Sequence, residues 1–225
     1  MKKNLLYLSA AAALGLAASC IVSDQLDTLT IDRDGSAQWV KYQSNIRSTE
    51  KGEKGAEELK RFLAEFEGRR DADFVRVHQA GGEILDARLV RQQEPYAAVL
   101  SAKLPNRKAL EDFFTFKDDK GQVVAQARFI ADGQRRRFSL TVPVSKDEQK
   151  AAASKPTERE RRVGQANGLS ETRIAVVGGE ITASCGFTIA DDKRSALLEP
   201  SEIQDLVQTA TAPVEIFLEW QVLAR

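Results

Sequence analysis

Histidine is almost missing from this sequence: His78 is the only one among 225 residues. A Ser-His-Asp or Cys-His catalytic site would have to use it, yet no G-x-S-x-G nucleophile motif accompanies it. The segment DFVRVHQAGG reads as a strand on which His78 shares a face with Phe74 and Arg76, a structural histidine. Only two cysteines occur, Cys20 and Cys185, so one histidine and two thiols cannot assemble a zinc site of the usual ligands, and no metal site is expected. A P-loop and a G-x-G-x-x-G turn are both lacking, which leaves no support for a nucleotide or any other cofactor. Methionine is confined to Met1, so the core must be built from Leu, Ile, Val, Phe and Ala without the flexible gap-filler. A basic excess is lacking too, with 33 Lys and Arg against 33 Asp and Glu, which argues against a nucleic-acid partner. After Cys20 no apolar run approaches the ~20 residues that span a bilayer as a helix. The enzyme class these absences leave standing is a carboxylate-only hydrolase, and no acidic pair is nominated for it. Asp118-Asp119 and Asp191-Asp192 both fall at expected turns, where Asp bonds the local backbone.

What is present begins at the first residue. MKKNLLYLSAAAALGLAAS has a short positive start, Lys2 and Lys3, then an apolar stretch from Leu5 to Leu16, about the length of the h-region of an export signal and too short for a membrane span. Small residues follow, Ala17, Ala18 and Ser19, and then Cys20. Ala18-Ser19-Cys20 resembles the lipobox of bacterial lipoproteins, with Ala17 in place of the more common Leu. The resemblance implies that the Cys20 thiol takes a diacylglycerol, that cleavage leaves Cys20 as the first residue, and that acyl chains such as palmitate then hold the protein at a membrane. Two chains suffice for firm anchoring, at ~0.8 kcal/mol per buried CH₂. A plain secretory signal with Cys20 paired to Cys185 is the alternative, and the cysteine's place in the cleavage register favours lipidation. Without residues 1–19, which hold Lys2 and Lys3 and no acid, the charge is 31 basic against 33 acidic residues.

The mature chain alternates strands with a few helices. LDTLTIDRDGSAQWVKYQSNI reads as two strands around an Asp34-Gly35 turn. Asp32-x-Asp34-Gly35 lacks the remaining ligands of a calcium loop. Ala56, Leu59, Phe62, Leu63 and Phe66 recur at three- and four-residue spacing, which predicts an amphipathic helix over residues 56 to 67 ending near Gly68 and packing on a sheet. FVRVHQA, GGEILDARLVRQ and YAAVLSAKL read as strands; Asn106 caps a short helix with Leu110, Phe113 and Phe114 inward. GQVVAQARFIADGQRRRFSLTVPV forms a second hairpin at Asp132-Gly133, whose Arg135, Arg136 and Arg137 are expected to be solvated rather than to bind an anionic headgroup. Beyond a charged stretch come ETRIAVVGG, EITASCGFTIA and RSALLE as short strands, then a small helix SEIQDLVQT, and VEIFLEWQVL as the last strand. Cys185 alternates with Ile181, Ala183, Phe187 and Ile189, the position of a small buried hydrophobe.

These elements predict an α+β fold, a largely antiparallel curved sheet or barrel-like core with a packed amphipathic helix and short inserted helices. The expected organisation is a signal at 1–19, a β-rich domain with a helix at 20–144, a charged linker or exposed excursion at 145–168, and a β-rich segment at 169–225 completing the same fold.

The signal with Cys20, the hairpin TLTIDRDGSAQWVKY, the helix EELKRFLAEF and the later GGEITASCGFTIADDKRSALLE with its terminal Trp220 strand resemble in layout the LppM-type bacterial lipoproteins. The resemblance implies a membrane-anchored domain with a curved sheet and a packed helix, in places linked to lipid binding, and no catalytic residue. The sequence therefore points to a non-enzymatic lipoprotein of the cell membrane or outer membrane, facing periplasm or exterior, with a binding or structural role towards an envelope protein. A lipid or acyl-ligand binding module is the alternative.

Overall fold

The computed structural model describes residues 21–117, 121–143, 171–198, 206, 210 and 212–223. Cys20, Asp118, Asp119 and the charged stretch at 145–168 lie outside the described residues, as does the helix SEIQDLVQT apart from Leu206.

The fold is α+β, and among the described residues there are two sheets and no closed barrel. In the first hairpin β1 (Ile21–Ile31) pairs antiparallel with β2 (Ala37–Ser48), Ile31 facing Ala37 and Leu29 facing Trp39. The amide of Asp32 donates to the Ser36 carbonyl at 2.8 Å, and Gly35 sits at φ +85°, the left-handed corner that a three-residue connection needs. Gly35 has a second duty: a Cβ there would stand 2.9 Å from the ring of Phe129.

β2 continues into α1 (Gly52–Glu67) and α2 (Ala72–Gln79), then β3 (Glu83–Arg91) and β4 (Tyr96–Leu104). In α1 the expected stripe is realised in part: Leu59 and Phe66 are buried, Phe62 and Leu63 are half-buried, and Ala56 is exposed. α2 corrects the sequence reading, since FVRVHQ is a helix and not a strand. Val75 and Val77 suggested period two, but the Asp71 carboxylate caps the segment and Phe74 and Val77 share a helical face into the core. His78 accordingly lies exposed on a helix.

α3 (Arg107–Phe113) starts at Asn106, whose side chain accepts from the Ala109 amide, as the sequence predicts. Next come β5 (Phe116–Lys117), β6 (Val123–Asp132), β7 (Arg135–Val142), β8 (Thr172–Val176), β9 (Gly179–Cys185), β10 (Thr188–Ile189), β11 (Ser195–Leu198) and β12 (Val214–Val222). The first sheet runs β10-β11-β8-β1-β2-β4-β3 and the second β5-β6-β7-β12-β9. Among the described residues every strand pairing is antiparallel except β1 with β8. β8 thus joins the first sheet, whereas β12 enters the second between β7 and β9.

One apolar core serves both sheets. A chain of rings crosses it: Trp39 on β2 lies 4.9 Å from Phe113, Phe113 lies 5.0 Å from Phe114, and Phe114 lies 5.6 Å from Phe138 on β7. Phe129 and Trp220 add a contact at 5.8 Å. Tilted and edge-on rings at such spacing are the favourable arrangement for their quadrupoles.

Candidate functional site

Among the described residues, charge enters the interior beneath α2. Asp27 and Lys41 face each other across β1 and β2, on the same inward row as Leu29 and Trp39. Asp27 is 5% exposed, and Gln25 Nε2 lies 3.4 Å from both of its oxygens. From above, Asp73 meets Lys41 Nζ at 2.5 Å and accepts from Arg76 at 3.2 Å. Asp71 accepts from the amides of Asp73 (2.9 Å) and Phe74 (3.2 Å), which sets where α2 begins. The Arg76 guanidinium lies over the Phe113 ring at 4.2 Å and within 5.5 Å of Trp39 and Phe116. Its Nε is buried with no hydrogen-bond partner among the described residues.

Three carboxylates thus crowd two cations. Burial raises the Asp71 carboxyl above its ordinary value, against the pull of the Phe74 amide. Burial lowers the Arg76 guanidinium, with Asp73 and Asp27 opposing that change. These charges hold the fold together, in that Asp71 caps the helix, Asp73 bridges Lys41 to Arg76, and Arg76 stacks on rings. The cluster docks α2, and with it Phe74 and Val77, onto the first sheet. Among the described residues no group of three His, Cys, Asp or Glu side chains could hold a metal ion.

Two open concavities lie elsewhere among the described residues. One, of about 660 Å³, runs beside β6 between Arg107, Glu111, Gln126, Arg128, Ile130 and Thr141. Its floor is the edge of β6, where Glu111 accepts from the Phe129 amide at 2.8 Å and Thr115 Oγ1 from the Ala127 amide at 3.2 Å. Side chains therefore occupy donors that an added strand would need. The other, about 360 Å³, is a shallow surface between Arg61, Ala64, Glu65 and Arg70.

The residues singled out from sequence are scattered over this frame. Cys185, a free thiol, is half-buried at the end of β9 rather than fully enclosed, because its partner across the sheet, Phe217, is itself half-buried on the outer face. The three arginines after the second hairpin are engaged rather than merely solvated. Arg135 pairs with Glu219 at 2.5 Å, which raises its guanidinium, and Arg136 donates to the Arg33 carbonyl at 2.6 Å. Arg137 reaches Glu215 at 3.0 Å while lying 3.7 Å over Phe217. Asp192 accepts from the Arg194 amide at 2.9 Å in a turn, as expected of that acidic pair. Asp34 accepts from the Ser36 amide and hydroxyl, which holds its carboxyl below the usual range and leaves it a turn residue.

Sequence reasoning missed the cluster under α2. A signal existed: Asp27 and Lys41 both interrupt inward apolar rows at positions that the Asp34-Gly35 turn brings face to face. Among the described residues no helix is long and apolar enough to cross a membrane.

No protein-family model and no curated protein matches the chain. Among solved structures it is similar to the folded domain of LppM from Mycobacterium tuberculosis, determined by NMR, with 9% sequence identity and a TM-score of 0.41 over 90% of this chain and 91% of that one.

Proposed function

We propose that this protein is an envelope lipoprotein, held at a membrane by acyl chains on Cys20, whose folded domain works without catalysis by presenting its surface to an envelope partner. The address is supported by the export signal and by the cysteine's place directly after Ala17, Ala18 and Ser19. A surface role rather than an enclosed ligand is supported by the filled interior. Trp39, Phe113, Phe114 and Phe138 occupy the space between the sheets ring against ring, where a lipid-carrying domain would keep an apolar cavity of some 300 Å³ or more. The absence of a catalytic role is supported by the single histidine and by carboxylates already committed to a cap and ion pairs.

Mass spectrometry of the mature protein with detergent partitioning tests the address; an unmodified Cys20 on a water-soluble product would overturn it. Native mass spectrometry of the domain mixed with envelope lipid extract tests the role. A stoichiometric bound lipid would replace the surface reading by the lipid or acyl-ligand module.

A further inference from the structure

β1 begins at Ile21, the residue directly after Cys20. Neighbouring Cα atoms are about 3.8 Å apart, so acyl chains on Cys20 would leave no linker between bilayer and fold. At about 3.3 Å per residue along the strand, Val22 would then lie within about 7 Å of the anchor and Leu26 within about 20 Å.

That face is unusual. Val22 is 36% exposed and Leu26 43%; across the pair Tyr42, opposite Leu26, is 42% exposed. Val99 on β4 faces Tyr42, and Arg88 on β3 faces Val99, so one row crosses four strands as Leu26, Tyr42, Val99 and Arg88. Arg47 stands opposite Val22. Trp39 and Lys41 point to the other face, where they meet α3 and α2. Apolar side chains, a tyrosine and flanking arginines beginning two residues from the anchor are the side-chain set that sits at a membrane interface.

We infer that the anchor-proximal half of this outer face, centred on Val22, Leu26 and Tyr42, rests on the bilayer surface and fixes the orientation of the domain. Asp24 and Asp86 lie on the same face, so tether length and apolar exposure carry the inference rather than net charge. The inference rests on the lipid anchor proposed above.

The test uses the full lipidated chain, with Cys185→Ser so that an introduced cysteine is the only free thiol. Bimane is attached at Leu26→Cys, Tyr42→Cys or Thr28→Cys, the last leaving both apolar residues in place, and at Gln134→Cys in the second hairpin. The protein is reconstituted in phosphatidylethanolamine–phosphatidylglycerol vesicles containing nitroxide-labelled lipid. Quenching several-fold stronger at 26, 28 and 42 than at 134 is the expected result. Equal quenching at all four overturns the inference. So does shielding of 26, 28 and 42 from aqueous iodide without quenching by lipid, which would mean that protein covers the face. The intact mass of the same preparation separates the two readings: acylated Cys20 with a flat quenching pattern sinks the orientation alone, and unacylated Cys20 sinks both.

Discussion

Trp220 is 0% exposed and its Nε1 finds no acceptor among the described residues. An unmet buried N–H costs about 1–3 kcal/mol, yet the ring fills space that Gly179 leaves open, since a Cβ there would stand 2.6 Å from Trp220 Cδ1. Trp220→Phe removes the unmet donor along with part of the ring and is expected to cost under about 1 kcal/mol in urea unfolding, whereas Trp220→Ala should cost about 3–5 kcal/mol. Asp71 offers a contrast in which charge decides. A carboxyl raised by burial stabilises the fold fully below its ordinary value of 3.8, and that contribution is lost as pH rises through the native value. Asp71→Asn keeps the cap oxygen without the buried charge. It should match or exceed the parent near neutral pH, with its advantage growing as pH rises from about 4 to 7. Asp71→Ala loses the cap and should cost about 1 kcal/mol relative to Asp71→Asn, with the same pH profile as that variant. Equal pH profiles for Asn and parent would refute this account of Asp71.

The two hairpin turns look alike in sequence and differ in structure. Gly133 sits at φ +52° with nothing within 4 Å of a Cβ, while Gly35 at φ +85° is pressed against Phe129. Gly133→Ala should therefore cost only the left-handed penalty of about 1–2 kcal/mol. Gly35→Ala adds about 1–3 kcal/mol of overpacking, and comparing the two midpoints in urea checks it. Turns of this kind were legible because Asp-Gly between alternating runs is a local signal, as was the Asn106 cap. α2 was not legible: β-branched Val75 and Val77 favour a strand, and the helix exists because Asp71 caps it and the sheet below supplies Lys41. With α2 misread, the charge cluster had no second half to be found.

Across the whole molecule the sequence shows which residues face inward but not which strands are neighbours. Alternation in β1 and in β8 places Leu29 and Ile174 inside, yet nothing local says that those two strands lie side by side. β12 supplies Ile216, Leu218 and Trp220 to the core, all 0% exposed, from between β7 and β9. A chain ended after Pro143 would lose that strand together with β8. It is expected to show no cooperative unfolding transition by near-UV circular dichroism; a sharp transition would mean that the first part folds by itself.

The parallel pairing of β1 with β8 also sets a clock. β1 is made before β8, and its flank stays open until Thr172–Val176 has been made, on the order of ten seconds later at ordinary elongation rates. β12, interior to the other sheet, comes later still. Strands from the later part of the sequence complete both sheets, so neither sheet is whole until they have been made. For a chain exported as proposed above, that delay would be a gain, because premature folding in the cytoplasm would jam its passage.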